Sequence, residues 1–300
     1  PFHSQLATGA LLFGNPSLAR KAGVLDPRTI WLLGADAGNS FDRLLLQRAP
    51  ATRRTDFHEG GVFVLGSNLD SPDEFRVVAD AGPLGLSGVA AHGHADALSF
   101  TLSVAGRQFL IDPGTGTYHG PGRWRHGFRG SAMHNTLVLG GEDQAVSGGR
   151  FMWLRRFRTS VIERDSSPAS DRLVAEHDGY RRLPGKPVHR RSWHLDRRAA
   201  CLTVQDQVFA STAQNVTLYW HFSEDCNVTC TPEGLSVSSG PICVDMVLPQ
   251  GGDVSVLHGS EEPMAGWVSR GYDVLEPSTT VVWRGSVMAG EALETVFSRV

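Results

Sequence analysis

No run of about 18 apolar residues occurs in the 300-residue chain, so no segment is suited to cross a bilayer as a helix. Lysine is nearly absent. Lys21 and Lys186 are the two among 28 basic residues, and the rest are arginine. A GC-rich genome explains the count, while at a few loop positions the forked guanidinium suits a carboxylate or sulfate. Excess charge of one sign is lacking too. The net −3 gives no global attraction to polyanions, so any anion site is local. Basic pairs such as Arg181-Arg182 and Arg190-Arg191 send at most one arginine to each face of a strand, which argues against a nucleic-acid surface. There are four tyrosines and four cysteines. Cys201, Cys226, Cys230 and Cys243 allow up to two disulfides, but Cys226-x3-Cys230 has no second pair to make a zinc knuckle, and buried strand thiols or one bridge are expected. No repeat, low-complexity segment or secretory leader is visible. The chain opens at Pro1 without Met, directly in helix-like text, so the missing leader carries no weight.

What is present is ordinary globular composition, 41% hydrophobic and 20% charged, in a chain long enough for one large domain or two. Residues 1–50 read helical. HSQLATGALLF carries helical spacing, Asn15-Pro16 interrupts it, Asp26-Pro27 caps RTIWLLG, and Asn39 or Ser40 is expected to cap FDRLLLQR. Pro50 to about Phe57 reads as a linker. From Gly60 the period changes to two, in GVFVLGS, EFRVVADAG, LSFTLSV, RQFLID, RLVAEHDG, VHRRSWHLD, ACLTVQDQV, NVTLYWHFS and further runs to the C-terminus. Many short strands separated by Gly, Pro and Asp turns make residues 51–300 a large antiparallel β-sandwich, mainly β, behind a short α-helical segment.

One stretch concentrates the chemistry, from His92 to Asn135. His92 and His94 are two apart and would point the same way on an extended chain. Asp112 ends a strand and His134 begins another. Two imidazoles and a carboxylate with an open position form a known kind of zinc site. The alternative is ordinary polar loop residues in a chain with 12 His. With Ala105-Gly106 as a two-residue turn, Val104 faces Arg107 and Asp112 falls opposite Ser99, so the chain must curl for His94 to meet it, and Gly93 eases such a curl.

The pieces HGHAD, IDPGTGTY, WRHGFRGSAMHNTLVLGGEDQ, AEHDGYRRL and HRRSWHL, in that order, resemble the C-terminal half of the heparinase II/III-like polysaccharide lyases. The resemblance covers nearly the whole chain and is weakest after about Pro249. It implies a sandwich preceded by an α/α toroid, with residues 1–50 as the toroid's last piece and substrate held between the two. By position His94, Asp112 and His134 match the family's zinc ligands, and His92 matches a histidine implicated in catalysis. It also implies a periplasmic or secreted setting and an anionic polysaccharide as partner.

Lyases of this kind cleave uronate-containing glycans by β-elimination, which needs a base at C5, an acid at O4 and neutralisation of the carboxylate. His92 and Tyr118 are the catalytic candidates. The alternatives are a residue beside the metal and a packing tyrosine. Trp124, Arg125 and Arg129, in a loop with Phe128, are candidates for binding a sugar acid, or else they staple the loop to the sandwich. Asn135 is a candidate contact that also suits holding backbone near His134. A non-catalytic carbohydrate-binding or structural sandwich that keeps the metal site is the main alternative. A hydrolase would want a carboxylate pair, which Asp96, Asp112 and Glu142-Asp143 do not make convincingly.

Overall fold

In the computed structural model, residues 2–48, 55–86, 88 and 90–300 are described. The chain divides into two compact units, Pro1–Arg54 and Thr55–Val300. The expected boundary at residue 50 and most of the expected linker lie outside the described residues.

The first unit holds four helices, Phe2–Phe13, Pro16–Ala22, Pro27–Leu33 and Ala37–Leu46. Asn15 accepts from the Ser17 and Leu18 amides, and Asp26 accepts from the Thr29 amide, each just ahead of a proline. These are the N-caps that the sequence announces. The fourth helix differs from expectation. It starts at Ala37, so Asn39 and Ser40 lie inside its first turn, where Asn39 donates to the Asp36 carboxylate at 3.0 Å. Ala7, Ala10, Ala19, Ala22, Phe41 and Leu44 form the small core of this unit.

The second unit is the expected mainly-β antiparallel sandwich. One sheet runs Asp56–Phe57, Val62–Ser67, Phe75–Asp80, Phe100–Val104, Arg107–Leu110, Gln214–Phe222, Thr279–Val287, Asp253–His258, with Leu137–Leu139 also paired to Gln214–Phe222. The other runs Asn227–Thr231, Gly234–Ser239, Ile242–Val247, Ala292–Arg299, Cys201–Phe209, Val188–Asp196, Ser170–His177, Thr159–Ser166. Alternation does the sorting. Along Val188–Asp196 the residues alternate between partly exposed and buried, placing His189, Arg191, Trp193 and Leu195 inward. The two sheets meet through edge-to-face aromatic contacts. Phe100 packs against Trp193 at 6.4 Å and Phe297 at 6.1 Å, and Trp220 packs against Phe297 at 5.5 Å. Each such ring contributes roughly 1.5–3 kcal/mol by burial. Asp171 reaches across from one sheet to accept from the Gly66 amide of the other at 3.0 Å. All four cysteines are free thiols.

One expected loop is a helix. Gly122–Arg129 is α-helical, so Trp124 and Phe128 share one face and Arg125 and Arg129 another. The glycines and proline around it read as loop text, but the i, i+4 pairing of aromatics and arginines carries the helix.

Candidate metal centre and adjoining aromatic cluster

The hairpin ahead of Asp112 turns at Ala105-Gly106 as expected, pairing Val104 with Arg107 and Ser103 with Gln108. A bulge then sets Leu102 opposite Leu110. The frame moves by one, and Asp112 no longer falls opposite Ser99. The curl that brings His94 inward uses left-handed backbone at Ala90, His92 and Leu98, with φ of 53°, 60° and 59°. Gly93 contributes closeness rather than handedness, since a Cβ there would stand 2.8 Å from the Gly85 backbone. Because His92 is left-handed, the period-two expectation fails. His92 and His94 diverge.

His94 turns to His134, with ring centroids 5.3 Å apart. Donor atoms of His94, Asp96 and His134 all lie within 4.8 Å of one another. Asp112 joins through the other side of the cluster, its Oδ2 2.8 Å from His134 Nδ1. With Nδ1 committed to Asp112, Nε2 is the His134 nitrogen left to face a cation once its proton is lost. That atom is buried and has no hydrogen-bond partner among the described residues. A buried imidazole nitrogen without a partner, next to a second imidazole and two carboxylates, fits a divalent cation of the zinc type. Asp96 is the member that sequence reasoning missed as a ligand. Its signal was its place two residues after His94.

The electrostatics agree with a cation site. Burial, with help from His134, pushes His94 down to about 3, so this imidazole is neutral. Desolvation alone would raise Asp112, although its side chain is partly exposed, but the charge and hydrogen bond of His134 outweigh it and hold the carboxyl at about 2. Burial likewise opposes protonation of His134, but Asp112 overcomes it and lifts His134 to about 9, so without a metal this ring is charged and a cation at Nε2 would have to displace a proton. Burial raises Asp96 to about 7. Asp80, also raised by burial, lines with Asp96, Asp112 and Asn135 a cavity of about 180 Å³. These carboxylates lack a cation partner among the described side chains other than His134.

A dense set of bonds holds the two histidine segments together from behind. Ser131 Oγ donates to the Ala95 carbonyl at 2.7 Å, and Thr136 Oγ1 donates to that of Ala97 at 2.9 Å. Gln144 accepts from the Ala97 amide at 2.8 Å and donates back to its carbonyl at 3.0 Å. The Asn135 amide donates to the carbonyls of Phe100 and Ile111, both at 2.8 Å, and accepts from the His221 amide at 2.6 Å. Its polar atoms are thus committed to backbone, which is the scaffold role and leaves no donor for a sugar.

His92 faces an aromatic cluster instead. Its ring lies 5.8 Å from Tyr118 and 5.6 Å from Phe151, and Tyr118 lies 4.9 Å from Tyr272. A hydrogen bond to Tyr272 raises the Tyr118 hydroxyl above its usual range. The Arg125 guanidinium lies 4.9 Å from the Tyr118 ring centre and 5.5 Å from that of Phe151. Arg125 Nε donates to the Arg150 carbonyl at 3.0 Å, while both terminal nitrogens are buried without a partner among the described residues. Arg129 is a staple. It donates to the carbonyls of Gly149 at 2.5 Å and Met152 at 3.2 Å and lies 4.4 Å from the Trp153 ring centre. Trp124 does not form a sugar platform, since it is buried in a satellite core with Phe128, Met133, Met264 and Trp267. Tyr180 is fully buried and donates to the Leu137 carbonyl at 2.9 Å. Tyr272 was missed because its hairpin, Trp267–Gly271 with Val274–Pro277, is short and irregular in register.

The profile described as Heparinase II/III-like, C-terminal matches residues 49–295, and the chain belongs to that family. A search of curated proteins gives no match. Among solved structures, the heparan sulfate lyase HepC from Pedobacter heparinus is 17% identical with a TM-score of 0.67, covering 90% of this chain and 40% of that one. A heparinase III is 18% identical with a TM-score of 0.64, covering 91% and 40%. At such identity these likenesses show the fold. This chain spans about 40% of the length of those two proteins. Among the described residues no helix is long and apolar enough to cross a membrane.

Proposed function

We propose that this chain is the sandwich portion of a zinc-bearing polysaccharide lyase that cleaves a uronate-containing anionic glycan by β-elimination outside the cytoplasm, in the periplasm or as a secreted enzyme. The observation that carries this is the cluster of His94, Asp96, Asp112 and His134, with its unpartnered imidazole nitrogen, one turn of chain from the cluster of His92, Tyr118 and Arg125. His94 and His134 hold the metal through ring nitrogens. One or both of Asp96 and Asp112 complete the set. When bound, zinc would supply positive charge that fixes these loops and offsets the carboxylates of Asp96 and Asp112. Arg125, with both terminal nitrogens unspent, is assigned to the substrate carboxylate, whose neutralisation stabilises the enolate-like intermediate. Tyr118 and His92 are assigned to proton transfer at C5 and O4. The exposed ring of Tyr272, tilted against that of Tyr118, extends the cluster toward a sugar face.

The test is the ultraviolet absorbance of the unsaturated uronate, measured on the longer parent protein with heparan sulfate, hyaluronan and alginate. Activity that is lost in Tyr118→Phe and His92→Ala, with zinc retained, supports the reading. Binding of one of these polymers without product would leave a non-catalytic carbohydrate-binding sandwich instead.

A further inference from the structure

We infer that Arg191, from the opposite sheet, is a positioning residue that sets the spacing of the two histidine segments of the metal centre. This rests on the metal reading of His94 and His134 above. Arg191 is fully buried. Its Nε and Nη2 grip Asp206 at 2.8 and 2.9 Å. Its Nη1 donates to two carbonyls at once, Leu98 at 2.7 Å and Asn135 at 2.6 Å. Leu98 follows Asp96 by two residues, and Asn135 follows His134 directly. One nitrogen therefore ties the backbone of both ligand-bearing segments to a single point.

That point is itself fixed. Asp206 also accepts from His189 Nε2 at 2.6 Å. His189 Nδ1 lies 3.1 Å from His177 Nε2, and His177 Nδ1 accepts from the Gly179 amide at 3.2 Å. The chain has one consistent direction. The Gly179 amide makes His177 Nδ1 an acceptor, so His177 donates from Nε2, and His189 in turn donates from Nε2 to Asp206. The guanidinium face is closed off by Phe100, Trp193 and Trp220, whose ring centres lie 5.7, 6.0 and 5.4 Å away. Arg191 also holds the carbonyl of Leu98, a left-handed non-glycine residue that persists only where its surroundings over-determine it. A buried ion pair is weak evidence for stability in itself. What this pair adds is register between two segments that no covalent link of fewer than 30 residues joins.

The test compares zinc affinity by chelator competition, and the visible spectrum of bound cobalt(II), in the 300-residue chain and its Arg191→Lys, Arg191→Met and Asp206→Asn variants. Leu235→Ala, a core truncation in the same second sheet, serves as the control for lost stability. Arg191→Met is expected to weaken zinc by about ten- to hundredfold, the range seen when groups supporting metal ligands are removed. Arg191→Lys, which keeps the charge but cannot fork, falls between, and both shift the cobalt spectrum. Leu235→Ala lowers the denaturation midpoint and changes neither. Should Arg191→Met not fold, the same comparison rests on Arg191→Lys and the isosteric Asp206→Asn. Variants that are less stable yet bind zinc as wild type, with an unaltered cobalt spectrum, overturn the inference. A wild-type chain that binds no zinc overturns the metal reading itself, and is recognised before any variant is made.

Discussion

His134 and Asp112 meet at 2.8 Å with opposite surroundings, the imidazole wholly enclosed and the carboxylate side chain 45% exposed. The pair leaves one imidazole nitrogen committed to Asp112 and the other free. Asp112→Asn is therefore expected to weaken zinc binding by about ten- to hundredfold. Asp96→Asn is expected to cost at least about tenfold, because its carboxylate belongs to the tight donor set. Isothermal titration of both variants with zinc checks this. Equal affinity of Asp96→Asn and wild type would remove Asp96 from the site.

Asn135 tests the scaffold. Its replacement by Ala strands the carbonyls of Phe100 and Ile111 and the amide of His221. Burial without partners costs roughly 1–3 kcal/mol per group, so Asn135→Ala is expected to lose about 3 kcal/mol or more. A urea unfolding curve indistinguishable from wild type would contradict it.

Arg125 and Arg129 lie on one helical face yet differ in duty. Arg129→Ala removes two bonds to carbonyls and is expected to cost stability, about 2 kcal/mol by chemical denaturation. Arg125→Lys keeps a charge in place but loses the fork, so it is expected to lower kcat/KM of the parent enzyme about a hundredfold with little change in melting temperature. The reverse pattern would exchange their roles.

Glu224 grips Arg270 with bonds of 2.8 and 2.7 Å and so pins the hairpin that presents Tyr272. The hydrogen bond from Arg270, ahead of its charge, brings Glu224 down to about 2 from 4.5. A depressed carboxyl stabilises the fold above its unfolded value and loses that contribution as pH falls toward the folded one. The gap in urea midpoint between wild type and Glu224→Gln is thus expected to be constant above about pH 5 and to close as pH falls toward 2. The pair is partly exposed, which limits the gap to about 1 kcal/mol or less. A gap that widens on acidification would refute the sign.

Much of the sandwich could be read directly. The run VHRRSWHLD is a strand from Val188 to Asp196, as its alternation demands, because each inward residue there meets the other sheet. Motif order singled out His94, Asp112 and His134, and the fold does bring His94 and Asp112 up to His134, as the proposed ligand set requires. The misreadings share a cause. The direction of His92 depended on a single left-handed residue, which period counting does not see. Trp124 looked like a platform because its helix was hidden by flanking Gly and Pro. Arg191 was legible only as one of a basic pair, since its acceptors at Leu98 and Asn135 lie 93 and 56 residues away in sequence. Tyr272 stands in text too short and irregular to announce a hairpin.

The bonds from Arg191 to both histidine segments also bear on the order of folding. A hairpin such as Phe100–Val104 with Arg107–Leu110 closes locally and early, whereas contacts spanning 56 and 93 residues must wait for the second sheet to dock. Until then the imidazoles have no common origin, and the chain offers a metal only scattered ligands. Tight uptake of zinc during refolding should therefore lag behind formation of the first strands and coincide with closure of the interface between the sheets, making the ion a reporter of the last cooperative step rather than a seed for the first.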